Sequence, residues 1–238
     1  MSAKPVLFIL PGLLCDETCF THQKAGLSDA LDVRSPHFRG FDSMAAMAAH
    51  VLADAPERFM LAGFSMGGRV ALEIMAQMMR AGTPERVQKL CLFDTGATPE
   101  PADGAQKRQP LVDLAYAKGM DALTDIWLPP MLGPSRRDDA AFKAPIYEMI
   151  RRSSPADHEK QIRALVTRPD YQQLLPKIAC PTLVVCGADD AWSTPEHHRA
   201  MAAAIPGAQL EIIPDAGHFV SMEQPEAFTR ALRKFFAA

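Results

Sequence analysis

The strand-to-helix segment FMLAGFSMGG, residues 59–68, decides the fold of this chain. Its first six residues, 59–64, form an unbroken apolar run, which is typical of a strand covered on both faces of a parallel sheet. From Gly68 to Ala81 the apolar residues recur at helical spacing, and Gly82 then ends the pattern. Ser65 lies between the two patterns with a glycine two residues away on either side. Because glycine relieves crowding, the turn can be tight, and the Ser65 hydroxyl should project above the sheet edge.

This Gly-x-Ser-x-Gly segment predicts a nucleophilic serine at residue 65. The following helix aims unpaired N–H groups and the positive end of its dipole at the same point, where they would stabilise an oxyanion. A structural glycine-rich turn and a phosphate-binding loop are the alternatives. The phosphate loop is disfavoured because a P-loop continues with Lys and Ser or Thr, whereas this chain has Arg69 and Val70.

Other short apolar runs mark further strands, and helical segments lie between them. This alternation predicts βαβ units with right-handed crossovers. The predicted fold class is therefore α/β, a doubly wound and mostly parallel sheet of about six strands flanked by helices. Pro195 and Pro225 are expected to open two of the helices, with Thr194 as the N-cap of the first. The predicted strands are Val6–Leu10, Val33–Phe38, Phe59–Phe64, Val87–Phe93, Thr182–Cys186 and Leu210–Ile213.

One long segment interrupts the alternation. Residues 97–176 contain no convincing core strand and are divided by many prolines. A segment of this length is too long for a plain connection between two strands. We predict a core domain made of residues 1–96 and 177–238, with residues 97–176 inserted as a helical cap. A set of ordinary additional core helices is the alternative.

A serine hydroxyl needs a base to accept its proton, and histidine is the usual base because its pKa lies near neutrality. In a sheet of this kind the order along the chain is serine, then acid, then histidine. His218 follows the last predicted strand and is therefore the expected base, whereas His197 and His198 lie inside a predicted helix and are expected at the surface. The acid should follow the preceding strand, where both Asp189 and Asp190 are candidates. The acid would hold the histidine tautomer and stabilise the imidazolium.

An oxyanion hole requires two backbone N–H donors. One is expected from Met66, directly after the nucleophile, and the other from the loop after the first strand. In that loop Leu13 is the preferred donor and Leu14 is the alternative.

Composition excludes several classes of function. The chain has 238 residues and a net charge of −3, and it has no concentrated basic region, so a nucleic-acid partner is not expected. No apolar stretch approaches the roughly 20 residues of a membrane span, and no secretory signal precedes the first strand. The five cysteines are an odd number that fits free thiols in a reducing cytoplasm.

Five motifs in this order resemble the α/β-hydrolase fold superfamily, particularly small bacterial esterase-like members with a helical cap. They are Leu10-Pro11-Gly12-Leu13-Leu14-Cys15-Asp16, Arg39-Gly40-Phe41-Asp42-Ser43, Gly63-Phe64-Ser65-Met66-Gly67-Gly68, Gly187-Ala188-Asp189-Asp190 and Gly217-His218-Phe219. In that family the acid is commonly the third residue after the glycine, so the resemblance implies the triad Ser65, Asp190 and His218. It also implies acyl transfer to water without a metal or organic cofactor.

The chain departs from the family pattern in three places. Pro11-Gly12 stands where the family often has His-Gly, and Pro195 lies five rather than four residues after Asp190. The first strand begins at Val6, which leaves no room for the two usual N-terminal strands and implies a six-stranded sheet.

The resemblance implies a carboxylesterase-type serine hydrolase acting on a small, largely apolar ester or thioester. Hydrolysis of a C–C bond or lactone, or lyase chemistry, on the same triad is an alternative, as is a ligand receptor with slow turnover. Arg151 and Arg152 could contact a substrate carboxylate or an acyl-carrier partner, although a solvated helix face is the simpler interpretation. Packing of the cap onto the core is the equally favoured alternative for the residues that could line an apolar pocket, which are Leu14, Trp127, Met131, Trp192 and Phe219.

Overall fold

The computed structural model describes residues 4–237 and shows a six-stranded parallel sheet flanked by helices, as predicted. The strand order is β2-β1-β3-β4-β5-β6, so the order reverses at β1. The strands are β1 (Val6–Leu10), β2 (Asp32–Arg34), β3 (Phe59–Phe64), β4 (Val87–Phe93), β5 (Thr182–Gly187) and β6 (Gln209–Ile213).

Helices connect the strands and cover both faces of the sheet. Because parallel crossovers are right-handed, the reversal at β1 places α1 and α2 on opposite faces. Contacts between helices agree with this arrangement, since α1 packs on α9 and α2 packs on α3. The α-helices are α1 (Thr21–Leu27), α2 (Met44–Ala53), α3 (Met66–Arg80), α4 (Gly104–Trp127), α5 (Ala140–Arg151), α6 (Pro155–Val166), α7 (Pro195–Ala204), α8 (Val220–Glu223) and α9 (Pro225–Phe236).

Three strands, β1, β3 and β5, are buried at every residue, which explains their nearly continuous apolar sequence. The central strand β4 is buried at Val87 and from Leu90 to Phe93. The edge strand β2 differs from its prediction over Val33–Phe38, because pairing with β1 covers only residues 32–34. Proline at residue 36 lacks the N–H that continued pairing would require.

The segment 97–176, all of which the structure describes, forms helices and no strand. It contains α4, α5 and α6, and α4 changes direction at Gly119, which has the positive φ of 84° that glycine tolerates. The helices pack on one another and on the loop after β1. The division into a core domain and a cap stays a prediction.

Two predicted helix starts are found, with one correction. α7 begins at Pro195 and α9 at Pro225. Thr194 occupies the N-cap position of α7, but its side chain makes no capping hydrogen bond. None of the described helices is both long enough and apolar enough to cross a membrane.

Candidate active site

Ser65 lies at the turn between β3 and α3 in a strained conformation. Its φ of 50° and ψ of −113° fall where side chains are disfavoured, at a typical cost of about 1–3 kcal/mol. Hydrogen bonds to the backbone N–H and to the backbone carbonyl of Ser65 both fix this turn. The Ser65 N–H donates to the Phe93 carbonyl at 3.1 Å, and the Thr95 hydroxyl donates to the Ser65 carbonyl at 2.6 Å. Neighbouring β4 therefore stabilises a conformation that the turn alone would not keep.

Close packing explains why glycines surround the serine. A Cβ on Gly63 would lie 2.5 Å from the Gly68 Cα, and a Cβ on Gly67 would lie 2.1 Å from the Leu10 carbonyl oxygen. Both contacts are with backbone atoms, which have little freedom to move. The glycines therefore let the start of α3 approach β3 and the end of β1, which brings the loop after β1 beside Ser65.

The structure brings the three predicted triad side chains together. The distance between His218 Nε2 and Ser65 Oγ is 2.9 Å, and the distance between His218 Nδ1 and Asp190 Oδ2 is 2.8 Å. Ser65 is partly exposed, whereas His218 and Asp190 are buried. Each side chain follows the carboxyl end of a strand, the edge where open α/β sheets bind ligands.

Asp190, rather than Asp189, faces the histidine. Asp189 is exposed, while Asp190 is 2% exposed and accepts the N–H groups of Trp192 and Ser193 on Oδ1, both at 2.8 Å. Burial alone would raise the pKa of Asp190, but attraction to His218 and the hydrogen bonds outweigh burial and lower the pKa. The carboxylate therefore stays ionised and can stabilise a protonated His218.

Backbone contacts hold His218 in place. Its own N–H donates to the Met131 carbonyl at 2.7 Å, and its ring packs against Phe64 with centroids 5.4 Å apart. A Cβ on Gly217 would lie 2.4 Å from the same Met131 carbonyl oxygen, so the preceding residue must be glycine for this approach. The segment 97–176 therefore contributes directly to the orientation of the histidine.

The loop after β1 lies against the serine, as the oxyanion-hole prediction requires. A Cβ on Gly12 would be 3.4 Å from the Ser65 Cβ. Within residues 4–237, no hydrogen bond uses the N–H of Leu13 or of Met66, so both donors are free for a ligand. The N–H of Leu14 is engaged, since it donates to Gln161 Oε1 at 2.8 Å. Of the two candidates in this loop, only Leu13 has an available donor.

A small cavity of about 110 Å³ opens beside Ser65 and His218. Four of the five predicted pocket residues line it, and the prediction for Leu14 needs correction. The Leu14 side chain is 1% exposed, belongs to the hydrophobic core and is not among the residues that line the cavity. The lining residues are Leu13, Cys15, Phe64, Ser65, Arg69, Arg108, Trp127, Met131, Leu165, Trp192, Ser193, His218 and Phe219.

Arg151 and Arg152 do not line this cavity. The Arg151 guanidinium binds Asp121 at 2.7 Å, and the Arg152 guanidinium binds Asp16 at 2.9 Å. Both charges are therefore neutralised within the protein, which favours the simpler interpretation of a helix face.

His198 corrects another expectation from the sequence. As part of a predicted helix it was expected at the surface, but it is fully buried. Its Nε2 accepts the N–H of Thr95 at 3.1 Å, and its Nδ1 lies 3.0 Å from the Thr194 carbonyl. The ring therefore connects α7 to the loop after β4.

Two buried carboxyl groups near the predicted triad, those of Asp94 and Glu223, are not indicated by the sequence analysis. Asp94 accepts the N–H groups of Gly187 at 3.1 Å and Val220 at 3.0 Å, and so joins the segments that carry Asp190 and His218. Burial raises the pKa of Asp94 well above its usual value, and repulsion from Asp190 adds to this. Its position directly after an apolar run was a usable signal. Glu223, in α8, is the second group.

Among residues 4–237, no three His, Cys, Asp or Glu side chains are arranged to hold a metal ion. All five cysteines are free thiols, and four of them are buried.

Comparison with known proteins identifies the family. The chain belongs to the alpha/beta hydrolase family, whose model matches residues 6–231. Among solved structures it resembles a thermophilic esterase from Thermogutta terrifontis with malate bound. The two share 31% identity and a TM-score of 0.86 over 99% of this chain and 90% of that one.

Two further similarities differ in what they show. An enol-lactonase from Burkholderia xenovorans LB400 has a TM-score of 0.87 over 100% of this chain and 93% of that one, but its identity of 23% shows the fold alone. A 2-hydroxy-6-oxononadienedioate/2-hydroxy-6-oxononatrienedioate hydrolase from Escherichia coli strain K12 is 28% identical over 188 residues. This match covers 74% of the present chain and 62% of the length of the relative.

Proposed function

We propose that the protein is a serine hydrolase that cleaves carboxylic ester or thioester bonds of small substrates through an acyl-enzyme. The observation that carries this proposal is the position of the His218 ring, whose two nitrogens lie within hydrogen-bond distance of Ser65 Oγ and Asp190 Oδ2. A serine is activated when a histidine ring has the serine hydroxyl at one nitrogen and a buried carboxylate at the other.

The reaction follows from this geometry. Ser65 Oγ attacks the carbonyl carbon of the substrate while His218 Nε2 accepts the hydroxyl proton. The resulting oxyanion is held by the N–H groups of Leu13 and Met66. The bond to the leaving group then breaks, and the departing alkoxide or thiolate takes the proton from His218. A water molecule attacks the acyl-enzyme with His218 again accepting a proton, and this proton returns to Ser65 Oγ as the acid leaves.

The cavity supports a small acyl group. Its volume is about 110 Å³, and apolar side chains, including Trp127, Met131 and Phe219, form much of its wall. Pockets of this kind fix a small apolar group beside the reacting atoms. The similarity to the Thermogutta terrifontis esterase supports cleavage of an ester bond. The free cysteines support a reducing compartment such as the cytoplasm.

Hydrolysis of a C–C bond or lactone on the same triad is the second candidate. The similarity to the Escherichia coli hydrolase favours it, because an oxononadienedioate is a carbon chain with no ester bond. The same serine, base and oxyanion donors would serve either reaction, so only a panel of substrates separates them.

Labelling with a fluorophosphonate probe tests the nucleophile. Wild type should be labelled and should hydrolyse p-nitrophenyl acetate or butyrate, and Ser65→Ala should abolish labelling and lower kcat by about 10³-fold or more. Ser28→Ala is the control, since this exposed hydroxyl only donates to the Ala25 carbonyl. Labelling of Ser65→Ala at wild-type rate would exclude residue 65 as the nucleophile, and labelling without rapid turnover would favour a receptor.

A further inference from the structure

Three guanidinium groups line one cavity beside the candidate active site, and two of them share a single carboxylate. Glu100 accepts hydrogen bonds from Arg108 Nε, at 3.0 Å, and from Arg168 Nη1. Arg69 has no such partner: its Nη1 donates to the backbone carbonyls of Gly96 and Thr98, both at 3.0 Å. No aspartate or glutamate within residues 4–237 forms an ion pair with Arg69. The cluster therefore carries an excess of positive charge.

The nearest acid on the same helix does not compensate this charge. Glu73 lies one turn further along α3, but its carboxylate binds Arg80 at 3.1 Å and accepts the Tyr171 hydroxyl at 3.0 Å. Burial lowers the pKa of Arg69 to about 9, and repulsion from Arg168 and Arg108 adds to the effect. Arg69 is partly buried, and a partly buried, uncompensated cation would gain from a bound anion.

Arg69 lies where a substrate could reach it. It follows Ser65 by four residues, about one turn of α3, and lines the catalytic cavity. It also lines a second cavity of about 540 Å³, which shares Arg108, Trp192 and Ser193 with the first. A ligand bound covalently to Ser65 could therefore extend past Trp192 into this larger space.

We propose that Arg69, together with Arg108, binds a carboxylate group of the substrate. The hydrolase proposed above, on which this inference rests, would then act on an ester or thioester that carries a second, ionised carboxylate. A planar guanidinium matches a carboxylate through two parallel hydrogen bonds. Arg69 keeps Nη2 and Nε free of protein carboxylates for this purpose, because only Nη1 binds the two carbonyls.

Matched pairs of esters test the proposal. One pair is mono-p-nitrophenyl glutarate and the corresponding p-nitrophenyl glutaramate, which place a carboxylate or a neutral amide on the acyl chain. The other pair is 4-carboxyphenyl butyrate and 4-carbamoylphenyl butyrate, which place it on the leaving group. Wild type should prefer the carboxylate in one pair. Arg69→Gln should lower this preference, measured as the ratio of kcat/KM values, by about 30-fold or more.

Two further variants keep the experiment decisive. Arg108→Gln should also lower the preference, and it tests the cluster if Arg69→Gln fails to fold. Arg199→Gln is the charge-matched control, because Arg199 pairs with Glu196 on the exposed face of α7 and should leave the ratio unchanged. Hydrolysis of both members of each pair at equal rates, or a preference that survives both substitutions, would overturn the proposal while leaving the serine hydrolase intact.

A binding measurement separates this proposal from the proposed function. In Ser65→Ala, glutarate should quench the fluorescence of Trp192 and bind at least about 30-fold more tightly than glutaramide, and Arg69→Gln should remove the difference. This result would support the carboxylate site even if no ester were hydrolysed. Equal binding of glutarate and glutaramide, or tighter binding of inorganic phosphate than of glutarate, would overturn it.

Discussion

The buried histidines His218, His198 and His158 show how partners decide what one side chain does. His218 has the Ser65 hydroxyl and the Asp190 carboxylate at its two nitrogens, and His198 has backbone groups at both. His158, in α6, is fully buried, and neither of its ring nitrogens has a hydrogen-bond partner among residues 4–237. Burial without a hydrogen-bond partner favours the neutral form of this ring, so protonation of His158 should destabilise the folded protein.

His158 should make the protein less stable as the pH falls. Burial lowers the pKa of His158 to about 4 from its usual 6.5, and repulsion from Arg108 adds to this. The unfolded chain therefore takes up this proton first, and stability is lost as the pH falls from about 6.5 towards 4. The loss should reach about 2–3 kcal/mol. Urea denaturation at pH 7.5 and at pH 4.5 measures it.

His158→Leu isolates this contribution from the carboxylates that titrate in the same range. The variant keeps an apolar side chain in the buried position and removes the titrating ring. Its free energy of unfolding should fall less between the two pH values than that of wild type, by about 2–3 kcal/mol. An identical fall in both proteins would show that the imidazole is not responsible.

At the scale of single elements, the short helix α8 joins two distant parts of the site. Glu223 at its end accepts the N–H of Phe219 at 3.1 Å and the N–H of Gly133 at 2.7 Å. The first belongs to the loop that carries His218, and the second belongs to the segment 97–176. Burial raises the pKa of Glu223, although these hydrogen bonds oppose the rise. We therefore expect Glu223 to position His218, the proposed base.

Glu223→Ala should lower both stability and kcat. It leaves two buried N–H groups without acceptors, at about 1–3 kcal/mol each, and it frees the loop beside His218. Ser221→Ala is the matched control in the same helix, because the Ser221 hydroxyl is buried with no partner and its removal should be neutral or stabilising. Thermal denaturation and kcat on p-nitrophenyl butyrate measure both effects. Equal behaviour of the two variants would contradict this role.

At the scale of the whole molecule, the sheet could be predicted where strands are buried on both faces. The runs Val6–Leu10 and Phe59–Phe64 match β1 and β3 because continuous burial requires continuous apolar sequence. The run Val87–Phe93 matches β4, in which the buried and apolar stretch is Leu90–Phe93. The edge strand β2 is not continuously buried, so its sequence need not be continuously apolar. Its three residues are only partly covered, so pairing with β1 rather than composition sets its limits.

The part of the candidate site that could be predicted from the sequence is the set of side chains that directly follow the carboxyl ends of strands. Ser65, Asp190 and His218 each follow a strand, and parallel strands bring their carboxyl ends to one edge. Arg69 was not predictable as a site residue, because the significance of its charge lies in what surrounds it. Glu100, which lines the same larger cavity, already binds Arg108 and Arg168, and no local pattern shows how carboxylates are shared between distant segments.

The segment 97–176 is attached to the rest of the molecule through a buried amide. Gln161, in α6, accepts the N–H of Leu14 at 2.8 Å and donates to the carbonyl of Phe38 at 3.0 Å. These partners lie in the loop after β1 and in the connection after β2. One side chain therefore fixes α6 against the loop that carries Leu13, the proposed oxyanion donor.

Gln161→Met should loosen this attachment while keeping the volume of the side chain. The N–H of Leu14 and the carbonyl of Phe38 would lose their partners, so the free energy of unfolding should fall by about 2–4 kcal/mol. Cleavage within residues 97–176 should become faster in limited proteolysis, because local opening governs access to the backbone. Glu159→Gln, an exposed change on the same helix, should stay within about 0.5 kcal/mol of wild type. Unchanged proteolysis and stability in Gln161→Met would mean that apolar packing alone holds the segment in place.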